Sequence, residues 1–318
     1  MITRPTIDAD RLANYLDFVP FDVTKDSLYN AATLYQGYDI EHPETYATCY
    51  DQQVYRHYID NGKQTSNPLE LLARSLHDYG MTMAIKQMLG CYAERAVVGI
   101  MGGHGLKRTD SAYRQVVEIS KRLTEGGFLM TTGGGPGAME ATHLGAWMAG
   151  YKECDVDAVM NRLCYFPCFK DTGWFDSAMA VIRDYPQDEY ESLGIPTWLY
   201  GHEPSTPFAT HIAKYFENSI REDTLLTVAY GGIIFSPGSA GTMQEIFQEA
   251  VQNHYLSFGY ASPMVFLGKR FWTEEMPAYP MLSQLMETGR YKNLLLHITD
   301  DAEEAVEYIK EFSKHSLL

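Results

Sequence analysis

Residues 236–245, SPGSAGTMQE, combine a turn of small residues with a threonine and a glutamate three positions apart. The stretch follows the apolar run GGIIF (231–235) and leads into a segment with helical character. A helix that begins after such a turn directs unpaired N–H groups and a partial positive charge outward, where an anion can bind. A carboxylate in its first turn can face positive charge that develops on a bound sugar. The stretch therefore predicts an anion site with Glu245 beside it.

Glu245 and Arg221 each allow two interpretations on the sequence alone. Thr242 and Glu245 have the spacing of a capping box, in which each side chain binds the other residue's backbone amide. In the alternative, Glu245 stabilises an oxocarbenium-like sugar or orients the attacking water. Arg221, within ENSIREDTLL, is either a solvated helix residue or a guanidinium that holds phosphate or ribose oxygens in the same cavity.

Two further glycine-rich loops follow predicted strands, GGHG (102–105) after AVVGIM and GGGPGAME (133–140) after FLMTT. Glycine permits positive φ and lets a ligand approach the main chain. Three such loops at successive strand ends favour a nucleotide or a sugar phosphate as ligand. Gly133, Gly135 and Ala138 also satisfy the dinucleotide fingerprint G-x-G-x-x-A, although that interpretation leaves the third loop unexplained.

The elements that must position these loops alternate as strand, loop and helix. This βαβ pattern predicts an α/β fold, a Rossmann-like parallel sheet flanked by helices, over residues 95–318. Within it, 151–193 is irregular and aromatic-rich, and we interpret it as an insertion. We expect a strand and a loop in 195–204 and a helix over 207–229.

Residues 1–94 lack glycine-rich turns and differ in character from the rest of the chain. PLELLARSLHDYGMTMAIKQML (68–89) has apolar residues at helical spacing. We therefore expect a mostly helical N-terminal region packed on the core. The apolar positions of its main helix are Leu69, Leu72, Leu76, Tyr79 and Met83.

Composition excludes several classes of partner. The formal net charge of −16 and pI near 5.0 predict a surface that repels nucleic acid and anionic membranes.

The opening MITRPTIDADRL has no secretory features and the five cysteines are few, so we expect reduced thiols and a cytoplasmic location. Cys164 and Cys168 have C-x3-C spacing but no second ligand pair, so we expect no metal.

The paired motifs resemble a known family. GGGPGAMEA followed by PGSAGTMQE is similar to the GGGxxGLMG and PGGxGTxxE of the LONELY GUY (LOG) family of nucleoside 5′-monophosphate phosphoribohydrolases, long mislabelled as lysine decarboxylases. GGHG, TGGGPGAMEA and EPSTPF look most like the family's bacterial pyrimidine/purine nucleotide 5′-monophosphate nucleosidases. The resemblance covers roughly residues 96–270.

The resemblance implies an enzyme that hydrolyses the N-glycosidic bond of a nucleoside 5′-monophosphate to free base and ribose 5-phosphate. It implies no cofactor and a homo-oligomer, a dimer or larger. Glu245 matches the catalytic glutamate of the family and Arg221 its arginine partner. The remaining residues that the resemblance assigns to substrate binding are Gly102, Gly103, Gly134, Gly135, Gly137, Met139, Glu140, Gly238, Ser239, Gly241 and Thr242.

The sequence departs from the family pattern at two places in the second motif. Ser239 replaces a glycine, and Gln244 stands where many members have a second acid. A nucleotide-binding or carrier protein that performs no chemistry, with Glu245 only capping its helix, is therefore an open alternative. An NAD-dependent oxidoreductase is a weaker one.

Several polar residues near the loops have less specific roles. His104, His143 and His202 are candidate acids for departure of the base, but no paired Ser or Cys and Asp accompanies them, so packing roles are favoured. Lys107 and Arg108, after GGHG, either attract phosphate or lie on the solvated surface.

Overall fold

A parallel sheet of seven strands forms the centre of the protein, whose computed structural model describes residues 8–314. The strands are β1 (Val97–Met101), β2 (Leu129–Thr132), β3 (Ser192–Gly194), β4 (His211–Ile212), β5 (Ile233–Phe235), β6 (Pro263–Leu267) and β7 (Leu295–Thr299). Their order is β4-β3-β2-β1-β5-β6-β7, and every neighbouring pair is parallel. The predicted Rossmann-like α/β fold is confirmed.

Helices cover both faces of the sheet and form most of the N-terminal region. That region contains α1 (Ala9–Leu16), α2 (Ala31–Leu34), α3 (Tyr50–Asp60) and α4 (Pro68–Leu89). The sheet region adds α5 (Ser111–Glu125), α6 (Ala138–Trp147), α7 (Glu153–Leu163), α8 (Trp174–Asp184), α9 (Asn218–Thr227), α10 (Ala240–Tyr255), α11 (Ala278–Glu287) and α12 (Ala302–Lys314). No helix within residues 8–314 is long and apolar enough to cross a membrane.

Alternate strand residues fill two separate cores, because successive side chains of a strand point to opposite faces. Ile234 lies in the core that α5, α6 and α12 complete. Ile233 and Phe235 lie in the other, with α9, α10, α11 and the N-terminal region. The order of the sheet reverses at β1, since β2 lies on one side of it and β5 on the other. Their carboxyl ends thus flank a crevice of the kind where open α/β sheets bind ligands.

The N-terminal region packs against the β4 edge of the sheet. Tyr29 and Ile212 exchange two backbone hydrogen bonds, of 2.9 and 2.7 Å, as an antiparallel bridge. Helix α4 forms as predicted, but part of its apolar stripe faces outward: Leu76 is 40%, Tyr79 65% and Met83 44% exposed.

Three local predictions were wrong. The strand expected in 195–204 lies earlier in the chain, because β3 already ends at Gly194. Residues 198–200 form a 3-10 turn instead. The helix expected over 207–229 begins only at residue 218, because the preceding residues form the edge strand β4. The insertion at 151–193, expected to be irregular, contains α7 and α8, whose inner faces are buried.

Candidate functional site

A cavity of about 450 Å³ opens at the carboxyl ends of β1 and β5, where the order of the sheet reverses. It is lined by the loop after β1, the start of α6, Tyr200 and Glu203, one side of α9 and residues of α10 as far as Gln248. Both predicted catalytic residues, Glu245 and Arg221, belong to this lining.

The first turn of α10 presents free backbone donors to the cavity. The helix begins at Ala240, and its first backbone bond runs from the amide of Met243 to the carbonyl of Ser239. The amides of Ala240, Gly241 and Thr242 therefore lie in the first turn, where a helix offers no partner. None of the three has another partner within residues 8–314. Unpaired N–H groups and the positive end of a helix dipole are the features that bind anions in proteins.

The capping-box interpretation of Glu245 is wrong. The residue that caps α10 is Ser239, not Thr242, and its side chain makes no capping hydrogen bond. Thr242 is thus the third helical residue and Glu245 the sixth, too far along to reach back to the first amides. Glu245 lines the cavity and has no hydrogen bond or ion pair to any of the described residues.

The surroundings of Glu245 raise the pKa of its carboxyl group. Burial raises the pKa of Glu245 to about 7, and the charge of Glu222 acts in the same direction. The guanidinium of Arg221 opposes both by stabilising the carboxylate. A group with such a pKa exchanges a proton near physiological pH, which suits acid–base work.

Arg221 is not a solvated surface residue. Its Nε donates to the carbonyl of Ile195 at 2.7 Å, and its Nη2 donates to the carbonyl of Gly133 at 3.2 Å. A Cβ on Gly133 would lie 2.1 Å from Nη2, so the glycine makes room for the guanidinium. Nη1 has no hydrogen bond to residues 8–314 and remains a donor beside the cavity.

The predicted glycines divide into two groups. Gly102, Gly103 and Gly241 line the cavity, as do Met139, Ser239 and Thr242. Gly134, Gly135, Gly137 and Gly238 lie outside the lining, where they let loops and side chains pack closely.

Gly137 shows why the second group must be glycine. It has a φ of +71°, and a Cβ there would lie 2.3 Å from the carbonyl oxygen of Gly103. The same carbonyl accepts the amide of Ala138 at 3.2 Å. The first amide of α6 is therefore already bonded and does not face the cavity as a free donor.

The structure corrects the placement of Glu140. Its carboxylate is 1% exposed and forms a buried ion pair with Arg108, which donates through Nη2 at 2.5 Å and Nε at 3.1 Å. This partner raises the pKa of Arg108, against the effect of burial. Arg108 also donates to Ser177 and to the carbonyl of Trp174, so it joins α6 to the insertion and is neither surface nor phosphate-binding.

Residues that the sequence did not single out complete the cavity. Tyr200, Glu203, Glu222, Leu225 and Gln248 line it, together with Gln244. Four of them lie on α9 or in the segment after β3. The Nε2 of Gln244 donates to Glu222 at 2.7 Å, so a residue that departs from the family pattern holds one of the acids.

The three candidate histidines lie in different surroundings. His104 lines the cavity, half-exposed, with its Nε2 3.9 Å from a Glu203 oxygen. His143 is buried between the hydroxyls of Thr132 and Ser192, and burial lowers its pKa to about 3. His202 is exposed and outside the cavity. Within residues 8–314, no three His, Cys, Asp or Glu side chains are placed to hold a metal ion.

The fold and the cavity define a class, Rossmann-like α/β proteins with a ligand cavity at the topological switch point. No protein-family model matches the sequence, and neither does any curated protein. Among solved structures, the chain is similar to the molybdenum cofactor binding protein of Rippkaea orientalis at 15% identity and a TM-score of 0.44, over 68% of this chain and 96% of that one.

A second similar structure is the molybdenum cofactor carrier protein of Chlamydomonas reinhardtii. It is 16% identical, with a TM-score of 0.43, and the match covers 69% of this chain and 99% of that chain. At these TM-scores the likeness carries no argument about what this chain binds.

Proposed function

We propose that the protein hydrolyses the N-glycosidic bond of a nucleoside 5′-monophosphate to free base and ribose 5-phosphate. The observation that carries the proposal is the unpaired carboxyl group of Glu245 beside the unpaired amides of Ala240, Gly241 and Thr242 in one cavity. An acid of this kind stabilises the oxocarbenium-like state of glycosidic cleavage, and the amides bind a phosphate.

The proposal assigns a part of the substrate to each wall. The 5′-phosphate lies at the first turn of α10, and the free Nη1 of Arg221 donates to a phosphate or ribose oxygen. Glu245 faces the anomeric carbon and orients a water for attack. The base lies toward Tyr200 and Leu225, which supply aromatic and apolar surface. None of these steps requires a cofactor.

The charge of the cavity limits where an anion can bind. Glu203, Glu222 and Glu245 line it with a single arginine. A phosphate is therefore favoured only at the α10 amides and Arg221, and repelled elsewhere. This asymmetry fixes the direction in which a nucleotide enters.

A panel of purine and pyrimidine nucleoside 5′-monophosphates tests the proposal. The protein is incubated with each, and free base and ribose 5-phosphate are quantified separately. We expect the two products in equal amounts from at least one nucleotide, and none from the matching nucleoside. Absence of both products from every nucleotide would overturn the proposal.

A nucleotide-binding or carrier protein without chemistry is the second candidate. The raised pKa of Glu245 favours it, because a protonated carboxyl group near pH 7 can donate a hydrogen bond to a ligand instead of stabilising a cation. Calorimetry that shows nucleotide binding, with no product after days, would select this candidate.

The proposal includes a homo-oligomer, a dimer or larger. Leu76, Tyr79 and Met83 expose apolar surface along α4, which a second copy of the chain would cover. Light scattering at several concentrations measures the mass. A monomer at all concentrations would remove the oligomer from the proposal without affecting the reaction.

A further inference from the structure

The carboxylate of Asp78, on α4, binds the beginning of α9. Its Oδ1 accepts the amide of Phe216 at 2.9 Å and its Oδ2 accepts the amide of Glu217 at 2.8 Å. Asp78 is 1% exposed, and it reaches this position from 138 residues upstream. A carboxylate suits the position because both of its oxygens accept hydrogen bonds, whereas an amide offers only one acceptor oxygen.

The contact leads directly to Arg221. The carbonyl of Glu217, whose amide Asp78 holds, accepts the amide of Arg221 at 3.2 Å as the first backbone bond of α9. The side chain of Arg221 then reaches Ile195 and Gly133 at the ends of two strands. Glu222 and Leu225, one turn on or less, line the same cavity. The start of α9 therefore sets where three lining residues stand.

Buried partners hold Asp78 itself in place. The Nδ1 of His77 lies 3.2 Å from its Oδ1, and the Nε2 of His77 lies 2.9 Å from the hydroxyl of Tyr29. Thr82, one turn later on α4, bonds the hydroxyl of Tyr215 at 3.1 Å. The segment before α9 is thus fixed to α4 at three successive residues, 215, 216 and 217.

We propose that Asp78 is a positioning residue for Arg221, and that the N-terminal region serves the site through it. Asp78 does not line the cavity and acts only through the helix that it holds. The role in turnover rests on the proposed nucleotide hydrolysis. The role in fixing α9 does not, so the two can be tested separately.

Asp78→Asn replaces one of the two carboxylate oxygens by an NH₂ group. That group cannot accept the backbone amide of Phe216 or Glu217, and its hydrogens point at the amide hydrogen. We expect kcat/KM to fall by about 10- to 100-fold, the size of effect produced by displacing a group by about 1 Å. Glu70→Gln is the matched control. Glu70 is an equally buried acid of α4 whose partners, Arg74, His57 and Tyr15, all belong to the N-terminal region.

A double-mutant cycle with Arg221→Lys separates positioning from general destabilisation. If Asp78 acts through Arg221, Asp78→Asn lowers kcat/KM much less in the Arg221→Lys background than in wild type. Equal losses in both backgrounds would overturn the proposal. So would an equal loss in Glu70→Gln at matched stability.

Hydrogen exchange of residues 216–227 provides the readout that needs no activity. We expect faster exchange there in Asp78→Asn and wild-type exchange in Glu70→Gln; unchanged exchange in Asp78→Asn would refute the contact. If wild type releases no product, the proposed function fails while exchange still decides the role of Asp78. If Asp78→Asn does not fold, Asp78→Glu is used instead, because it keeps the charge but displaces the carboxylate oxygens. We expect the same faster exchange of residues 216–227 and the same fall in kcat/KM.

Discussion

Arg221 and Glu245 reach one cavity from two successive helices, and their charges are coupled. The guanidinium of Arg221 lowers the pKa of Glu245, yet burial dominates and leaves that pKa at about 7. Burial lowers the pKa of Arg221, and the carboxylate of Glu245 opposes this effect by stabilising the charged guanidinium. The arginine thus helps to set the pH at which Glu245 becomes negatively charged.

The pH dependence of turnover should follow Glu245. Because the proposed chemistry needs the carboxylate, kcat/KM should fall about tenfold per pH unit below about 7 and level off above it. Arg221→Met removes the charge that favours the carboxylate, so the acidic limb should move to higher pH. Arg221→Lys keeps the charge and should leave the limb in place. Identical limbs in the two variants would contradict the coupling.

Glu140 should matter for stability rather than for ligand binding. Glu140→Gln leaves Arg108 buried without its counter-charge, and the expected loss is about 3–5 kcal/mol in the free energy of unfolding. Glu118→Gln breaks the half-exposed pair with Arg122 and should cost less than about 1 kcal/mol. Urea denaturation compares the variants. If Glu140→Gln lost nucleotide affinity while its stability stayed unchanged, Glu140 would be a ligand-binding residue after all.

Gly137 and Gly241 should respond differently to a methyl group. Gly137→Ala combines a strained φ with a contact to a backbone oxygen, and we expect a loss of about 1–3 kcal/mol. Apart from its own helix backbone and chain neighbours, nothing lies within 4 Å of a Cβ on Gly241, so Gly241→Ala should change stability by less than about 1 kcal/mol. Thermal denaturation of both variants measures this. Equal effects would show that the packing of the loops is misassigned.

Glu249 should make the protein less stable as pH rises. Its buried carboxyl group bonds Ser262 and Gln252, and burial raises its pKa to about 7. The folded state therefore binds a proton more tightly than the unfolded state between the ordinary pKa, near 4.5, and about 7, and stability falls across that range.

Glu249→Gln removes this dependence because its amide does not titrate. We compare the free energy of unfolding of the variant with that of wild type at each pH. The difference, variant minus wild type, should be larger at pH 8 than at pH 5 by up to about 3 kcal/mol. Urea denaturation at both pH values measures the difference. If this difference in unfolding free energy is the same at pH 5 and pH 8, Glu249 is ionised in the folded protein at both pH values.

The sequence predicts the sheet better than its edges. AVVGIM and GGIIF are apolar runs between glycine turns, and both form buried central strands, β1 and β5. The two-residue strand β4 carries no periodicity, and its neighbours in sequence resemble a helix. Its strand conformation comes from pairing with β3 and Tyr29, contacts that only the folded chain supplies.

The site shows the same division. Spacing alone brings Gly103, Ser239 and Glu245 to one strand edge, because parallel strands end together. It cannot show that Glu140 faces Arg108, or that Tyr200 and Glu203 reach the cavity, since those contacts join segments far apart in the chain. Nor can it distinguish Ser239 from Thr242 as the cap, because both residue types favour that position.

Glu245→Gln tests most directly whether Glu245 is the reacting carboxylate that we propose. The variant keeps the shape of the side chain and removes its charge. With a nucleoside 5′-monophosphate that wild type cleaves, we expect kcat for ribose 5-phosphate release to fall by about 100- to 10,000-fold while nucleotide affinity stays within a few-fold. A variant that retains the wild-type kcat would contradict the account.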